Sequence, residues 1–197
     1  MSGILKKMRQ HWLLVLVSLG ALFMFSVAVG ISGAYVLAFT STEEFCVSCH
    51  EMQYNFAEYK GTIHDTNRTG VRAICTDCHV PHEPGPLVLA KIKASKDMFY
   101  TYVMPSIDTK EKFEAKRAHM AQSVWRWMKS NDSHTCRSCH RADKMSPDLQ
   151  SAKAQARHAK GKAEGKTCIE CHFGIAHSEP DGPGPTELFS TTGAKPE

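Results

Sequence analysis

The stretch Cys46-Val47-Ser48-Cys49-His50 has the pattern C-x-x-C-H, and it recurs as Cys75-Thr76-Asp77-Cys78-His79, Cys136-Arg137-Ser138-Cys139-His140 and Cys168-Ile169-Glu170-Cys171-His172. Together the four motifs contain all eight cysteines of the chain. In this pattern both thiols bond covalently to a haem, and the histidine that follows can bind its iron. The sequence therefore predicts four covalently bound haem c groups.

Other uses of paired cysteines explain this pattern less well. A thioredoxin-like redox pair is usually single, and zinc sites built from C-x-x-C pairs do not require a histidine after every second cysteine. A disulfide framework would use the eight cysteines but would leave the four motif histidines unexplained. The motifs thus favour a tetrahaem cytochrome c.

The charge of the chain gives no support to nucleic-acid binding. Its formal net charge is +4, and each haem adds two ionisable propionates, so the loaded protein is acidic or near neutral. In bacteria, covalent haem attachment takes place on the outer side of the cytoplasmic membrane. All four motifs are therefore expected in the periplasm.

Residues 12–39 contain no charged side chain and no histidine. A helix of that length covers roughly 40 Å, more than the roughly 30 Å of the hydrocarbon core. A signal peptide would have a shorter apolar region and a cleavage site of small residues. Because Lys6, Lys7 and Arg9 precede the segment, residues 1–11 are predicted to be cytoplasmic, and the protein to be a single-pass inner-membrane protein.

Small residues recur every four positions along this helix, at Ser26, Gly30 and Ala34. This spacing allows two membrane helices to approach closely, which would permit a homodimer or a packed partner helix.

Beyond residue 40 the chain has few aliphatic residues and no alternating runs, so we expect haem to form much of the core of a periplasmic domain, residues 40–177. The predicted fold is mainly α with many loops. The motif spacing suggests two dihaem modules, at about 40–105 and 131–177, joined by a helix at 109–130. By analogy with metal-dependent folding, this domain should be unfolded without haem.

Further helices are predicted at 87–104 and 147–160. The helix at 109–130 has Asp108 as its expected N-cap, with Glu111 three residues later. Residues 178–197 are rich in Pro, Gly, Ser and Thr and are predicted to be a disordered tail.

A low-spin haem needs a second strong ligand from outside its own motif. Seven further histidines are available: His11, His64, His82, His119, His134, His158 and His177. His82 is too close to His79 to bind the same iron from the opposite face, but it could bind a neighbouring haem. His11 is excluded by its cytoplasmic position.

Several stretches resemble the NapC/NirT/NrfH family of membrane-anchored tetrahaem quinol dehydrogenases, and the NapC branch in particular. Besides the anchor and the four motifs, the similarity includes Asn67-Arg68-Thr69-Gly70-Val71-Arg72, Cys78-His79-Val80-Pro81-His82, Lys93-Ala94-Ser95-Lys96-Asp97, Lys112-Phe113-Glu114-Ala115, Met120-Ala121-Gln122 and Gly174-Ile175-Ala176-His177. It covers residues 1 to about 180. The resemblance implies oxidation of menaquinol or ubiquinol and electron transfer to a periplasmic reductase, with nitrate reductase favoured.

The resemblance also implies ligands for the haem irons. The family's distal histidines match His64, His82, His158 and His177, whereas His119 and His134 fall outside the family pattern. In the NrfH branch a methionine shortly after the first motif replaces the motif histidine. Met52 matches that methionine, so His50 and Met52 are alternative ligands of the first haem. If that haem keeps an open side, three distal histidines suffice.

The family's quinol-site residues map to Lys91 and Asp97, on the helix predicted at 87–104. Quinol oxidation releases protons as well as electrons, so an aspartate can accept a proton while a lysine holds the quinol oxygen. The apolar and basic residues of this helix also suit the membrane surface.

The sequence is also compatible with other functions. The protein could donate electrons to a nitrite or other reductase, as NrfH-like or NirT-like proteins do. Functions of a different class are a terminal oxyanion reductase acting at an open haem, and an anchored electron-storage or haem-sensing protein.

Overall fold

The computed structural model describes residues 2–191, which are helical with many loops and contain no strand. The chain divides into two compact units, one ending at Ser41 and the other beginning at Thr42. The first unit contains helix α1, Ser2–Phe39. The second contains eight further helices among the described residues: α2 Glu43–Val47, α3 Met52–Tyr59, α4 Cys75–His79, α5 Pro84–Tyr102, α6 Lys110–Ser130, α7 His134–Arg137, α8 Ala152–Ala163 and α9 Pro185–Thr191.

Helix α1 is long and apolar enough to cross a membrane over Lys6–Phe39. Large apolar side chains point outward along its length; Leu16 is 57% exposed and Phe23 66% exposed. An uninterrupted helix satisfies its own backbone hydrogen bonds, as a lipid environment requires. The helix begins at Ser2, so the basic segment before residue 12 is part of the same helix.

The motifs lie on short helical turns. The second motif begins α4, and the fourth begins a 3₁₀ turn, Cys168–Glu170. In each, the acidic residue inside the motif accepts a hydrogen bond from the N–H that precedes the turn: Ile74 N to Asp77 Oδ2 and Thr167 N to Glu170 Oε2, both 2.8 Å. These carboxylates cap the turns that carry the motif cysteines.

Helix α6 agrees with the predicted helix at 109–130 to within one residue, but its cap differs. Thr109 is the N-cap, and its hydroxyl accepts a hydrogen bond from Lys112 N at 3.3 Å. The expected cap, Asp108, instead forms an ion pair with Lys112 at 2.7 Å.

Two other predicted helices are shifted. Helix α5 begins at Pro84, earlier than predicted, because proline lacks an N–H that the first turn would leave unbonded. The helix predicted at 147–160 is a 3₁₀ turn, Pro147–Leu149, followed by α8, for which Ser151 is the N-cap.

The buried apolar core is small. It comprises Tyr59, Phe113, Trp125, Met128 and Ile169. Eight cysteine thiols are free in this structure, so none is used in a disulfide bond. So few buried apolar side chains agree with the expectation that haem forms much of the core.

The end of the described chain differs from the prediction of a disordered tail. Helix α9 is ordered against the cluster of Trp125, Met128 and Ile169, with Leu188 and Phe189 packed on it. These two apolar residues give the tail a surface to bury, which outweighs its polar composition. Residues 192–197 lie outside the described part.

The two predicted dihaem modules lie in one compact unit. Their inner motifs are in contact, because Thr135, just before the third motif, donates a hydrogen bond to the carbonyl of Cys78 at 3.0 Å. The second and third motifs therefore form a direct link between the modules.

Candidate haem and quinol sites

Three motif histidines each face a histidine from elsewhere in the chain. The distances between ring centres are 6.1 Å for His140 and His64, 6.2 Å for His79 and His177, and 6.0 Å for His172 and His158. Helix α8 supplies His158, whereas His64 and His177 lie on irregular segments. In every pair the two histidines are far apart in sequence or belong to different elements.

These separations fit a six-coordinate iron between the rings. A bond from a metal to a histidine nitrogen is about 2 Å long, and the ring centre lies further away still, so two ligating imidazoles have centres about 6 Å apart. Burial lowers the pKa of His177, which favours the neutral imidazole that a metal requires. The pairs thus suit bis-histidine haem.

His82 is the fourth predicted distal histidine, and the structure places it differently. Its Nε2 lies 3.7 Å from Asp77 Oδ1, and the side chain is 47% exposed. Within residues 2–191 it faces no motif histidine, and its role as a distal ligand stays a prediction. His134, which the family pattern left out, forms an ion pair with Glu83 at 2.5 Å.

The first motif has a different environment from the other three. His50 Nε2 lies 3.1 Å from the carbonyl oxygen of Asp108, and Nδ1 lies 3.3 Å from the carboxylate of Glu51. No histidine ring faces it in the part of the chain that the structure describes. Met52 begins helix α3 and is 37% exposed. Both candidate ligands of the first haem are therefore close together, and the histidine is held by a backbone carbonyl.

Lys91 and Asp97 both lie on helix α5. Six residues of helix separate them by about 9 Å along the axis and roughly 120° around it. Desolvation by burial lowers the pKa of Lys91, against an opposing effect of Cys46 in the first motif. Partial desolvation raises the pKa of Asp97, against an opposing effect of Lys96.

Helix α5 also carries a largely exposed apolar surface. Leu89, Ile92 and Val103 at its end are 52%, 63% and 62% exposed. Such a surface beside charged residues suits the interface between a bilayer and water.

Two arginine networks were not found from the sequence. Arg72 binds Glu43 and Asp65, and Arg117 binds Glu58 and Glu114. Their carboxylate partners include residues distant in sequence, so no local pattern marks them. The only available signal was that Arg72 lies in a stretch resembling the family.

Comparison with known proteins gives one family. The profile of the NapC/NirT cytochrome c family, N-terminal region, matches residues 6–182. No solved structure matches the chain.

Individual relatives are similar over most of the chain. A putative tetraheme cytochrome-c type protein of Allochromatium vinosum is 46% identical, over 85% of this chain and 91% of its own. The denitrification system component NirT of Stutzerimonas stutzeri is 45% identical, over 84% of each chain. The cytochrome c-type protein NapC of Escherichia coli is 50% identical, over 72% of this chain and 70% of its own.

Proposed function

We propose that this chain, which belongs to the NapC/NirT cytochrome c family, oxidises membrane quinol and passes the electrons through four haems to a periplasmic reductase. The observation that carries the proposal is the difference between the motifs: three have a facing histidine about 6 Å away, and the first has none among residues 2–191. Haem supplies one-electron redox chemistry when bound. The residues described below bind the haems and handle the protons.

For the second, third and fourth haems we propose bis-histidine ligation. The pairs are His79 with His177, His140 with His64, and His172 with His158, as their facing rings suggest. Two strong ligands on each iron leave no position for a substrate, which suits electron transfer alone.

At the first haem we propose Met52 as the protein ligand. His50 Nε2, the atom with which a motif histidine would bind iron, lies within hydrogen-bond distance of the Asp108 carbonyl. Met52 follows two residues later, at the start of α3. With Met52 as its one protein ligand, the first haem would supply its redox chemistry next to the site of quinol oxidation.

We place that site at Lys91 and Asp97. Quinol loses two electrons and two protons, while each haem accepts one electron. Asp97 can take a proton, and its raised pKa makes it a better base than an ordinary aspartate. Lys91, on the same helix, can hold the quinol oxygen. The apolar surface of α5 would meet the bilayer, from which quinol arrives.

Nitrate reductase is the favoured electron acceptor, because it is the partner that the resemblance to the NapC branch implies. This chain is 50% identical to NapC and 45% identical to NirT. NirT matches a larger share of the chain, 84% against 72%, so the reductase of a denitrification system is the second candidate. The basic residues Lys6, Lys7 and Arg9 in the first part of α1 support a cytoplasmic N-terminus and a periplasmic haem domain.

The central experiment is reduction of the purified holoprotein by a menaquinol analogue. We expect all four haems to be reduced, and Asp97→Asn to slow reduction about 100-fold, because proton acceptance typically contributes 10²–10⁴-fold. Asp148→Asn, an exposed aspartate in a 3₁₀ turn, is the matched control and should have no effect. Failure of the wild-type protein to accept electrons from quinol would exclude this function.

A further inference from the structure

Arg117 lies at the centre of a network beside His177. Its guanidinium binds both carboxylate oxygens of Glu58, at 2.6 and 3.0 Å, and both oxygens of Glu114, at 2.6 and 2.9 Å. Ser178, the residue after His177, joins it twice: its N–H donates to Glu58 Oε2 at 3.0 Å, and its carbonyl accepts from Arg117 at 3.4 Å. The network thus ties the backbone beside His177 to helices α3 and α6.

The ion pair between Arg117 and Glu58 is largely shielded from water. The side chains of Arg117 and Glu58 are 12% and 20% exposed. Burial alone would raise the pKa of Glu58, but hydrogen bonds from Arg117 and the Ser178 N–H hold that pKa below its ordinary value. Bidentate bonds between arginine and a carboxylate fix geometry as well as adding energy. Losing Arg117 would leave the partly buried Glu58 carboxylate without its ion-pair partner.

His177 itself lies outside any regular element. The backbone from 171 to 184 forms neither helix nor strand, and Gly174 adopts φ +67°, which other residues rarely do. The residues that bind Ser178 lie on regular helices, Glu58 on α3 and Arg117 on α6, so their backbone is fixed. The Arg117 network is therefore a polar anchor of the segment that carries His177.

The surroundings of the other two distal histidines agree with this anchoring role of an arginine network. His64 is also on irregular backbone, and its neighbour Asp65 accepts a hydrogen bond from Arg72 at 2.7 Å while Arg72 binds Glu43. His158 lies within helix α8, where the backbone is already fixed. An arginine network thus accompanies each distal histidine that lies on a loop.

We propose that Arg117 and Glu58 are positioning residues that hold His177 on the distal side of the second haem. The inference rests on the ligand pairs of the proposed function. It adds that the geometry of this ligand depends on a network that touches neither haem nor substrate.

The test measures the spin state of each haem in the oxidised holoprotein, by electron paramagnetic resonance and magnetic circular dichroism. In Arg117→Gln and in Glu58→Gln we expect one bis-histidine haem to become high-spin. Added imidazole should restore its low-spin signal by replacing the displaced ligand. Arg126→Gln, an exposed arginine on the same helix, should leave the spectra unchanged.

A double variant identifies the haem affected. When combined with His177→Ala, Arg117→Gln should produce no additional high-spin haem, because both changes act on the same iron. Arg72→Gln combined with His177→Ala should produce a second one, at the iron that His64 faces.

The possible results separate the two proposals. A wild-type protein without three bis-histidine signals would contradict the ligand pairs themselves. A wild-type protein with those signals, and Arg117→Gln and Glu58→Gln variants that keep all three, would overturn the positioning role alone. If Arg117→Gln does not incorporate haem, Glu58→Gln decides: retention of all three signals overturns the role, and one imidazole-reversible loss supports it.

Discussion

The first motif and the other three share one sequence pattern but differ in what surrounds their histidines. His79, His140 and His172 each face a second histidine at about 6 Å, whereas His50 lies against the carbonyl of Asp108. Under the proposed ligation, each motif would attach a haem in the same way, and the chain around it would decide the ligands of the iron. Ligands supplied by distant segments can therefore give identical motifs different roles.

Replacing a distal histidine should change the haem spectra most, because it removes the feature that distinguishes the last three motifs from the first. His177→Ala is expected to convert one low-spin haem completely into a high-spin haem, because the iron loses one of two strong ligands. His82→Ala is the matched control, since His82 faces no motif histidine within the described residues. Spin quantification by electron paramagnetic resonance measures both. A spin change in His82→Ala would show that the fourth predicted distal histidine is a ligand after all.

The next effect concerns the ligand of the first haem. Met52→Leu should abolish the spectroscopic signature of a methionine-bound iron, while His50→Gln should leave it in place. The expectation follows from the position of His50 Nε2 next to Asp108. Magnetic circular dichroism of the two variants distinguishes the ligands. Loss of the first haem's axial ligand in His50→Gln, with no change in Met52→Leu, would mean that the first haem is bound by its motif histidine, as the other three are.

The rate of quinol oxidation, which we place beside the first motif, should depend on pH. Asp97 accepts a proton only as the carboxylate, so the rate should be highest above its pKa and fall about tenfold per pH unit below it. Because desolvation raises that pKa, the fall begins at a higher pH than for an ordinary aspartate. Stopped-flow reduction by a menaquinol analogue measures it. In Asp97→Asn this dependence should disappear, and reduction by dithionite should show none of it in either protein.

The sequence predicted those features that depend on local pattern. The four motifs, the apolar anchor and helix α6 each lie in one continuous stretch, so spacing and composition reveal them. The pairing of His64 with His140 could not be predicted from spacing, because it depends on how distant segments meet. Helix α9 was missed because its polar composition concealed two apolar residues that pack on a core formed elsewhere.

The smallest effect is expected at the helix cap beside the first motif. Thr109→Ala removes the N-cap of α6 and should destabilise its first turn by about 1 kcal/mol. That corresponds to about fivefold faster amide exchange there, measured by hydrogen exchange. Asp108, whose carbonyl holds His50, immediately precedes this cap.

The control is Ser151→Ala, which removes the equivalent cap of α8, the helix that carries His158. Both variants should speed local exchange to a similar extent. Only Thr109→Ala should also change the spectrum of the first haem, because His50 would lose its fixed carbonyl partner. His158 should keep its place in Ser151→Ala, since it lies in the middle of its helix and not beside the cap. Equal spectral changes in the two variants would mean that the contact between His50 and Asp108 does not distinguish the first motif from the others.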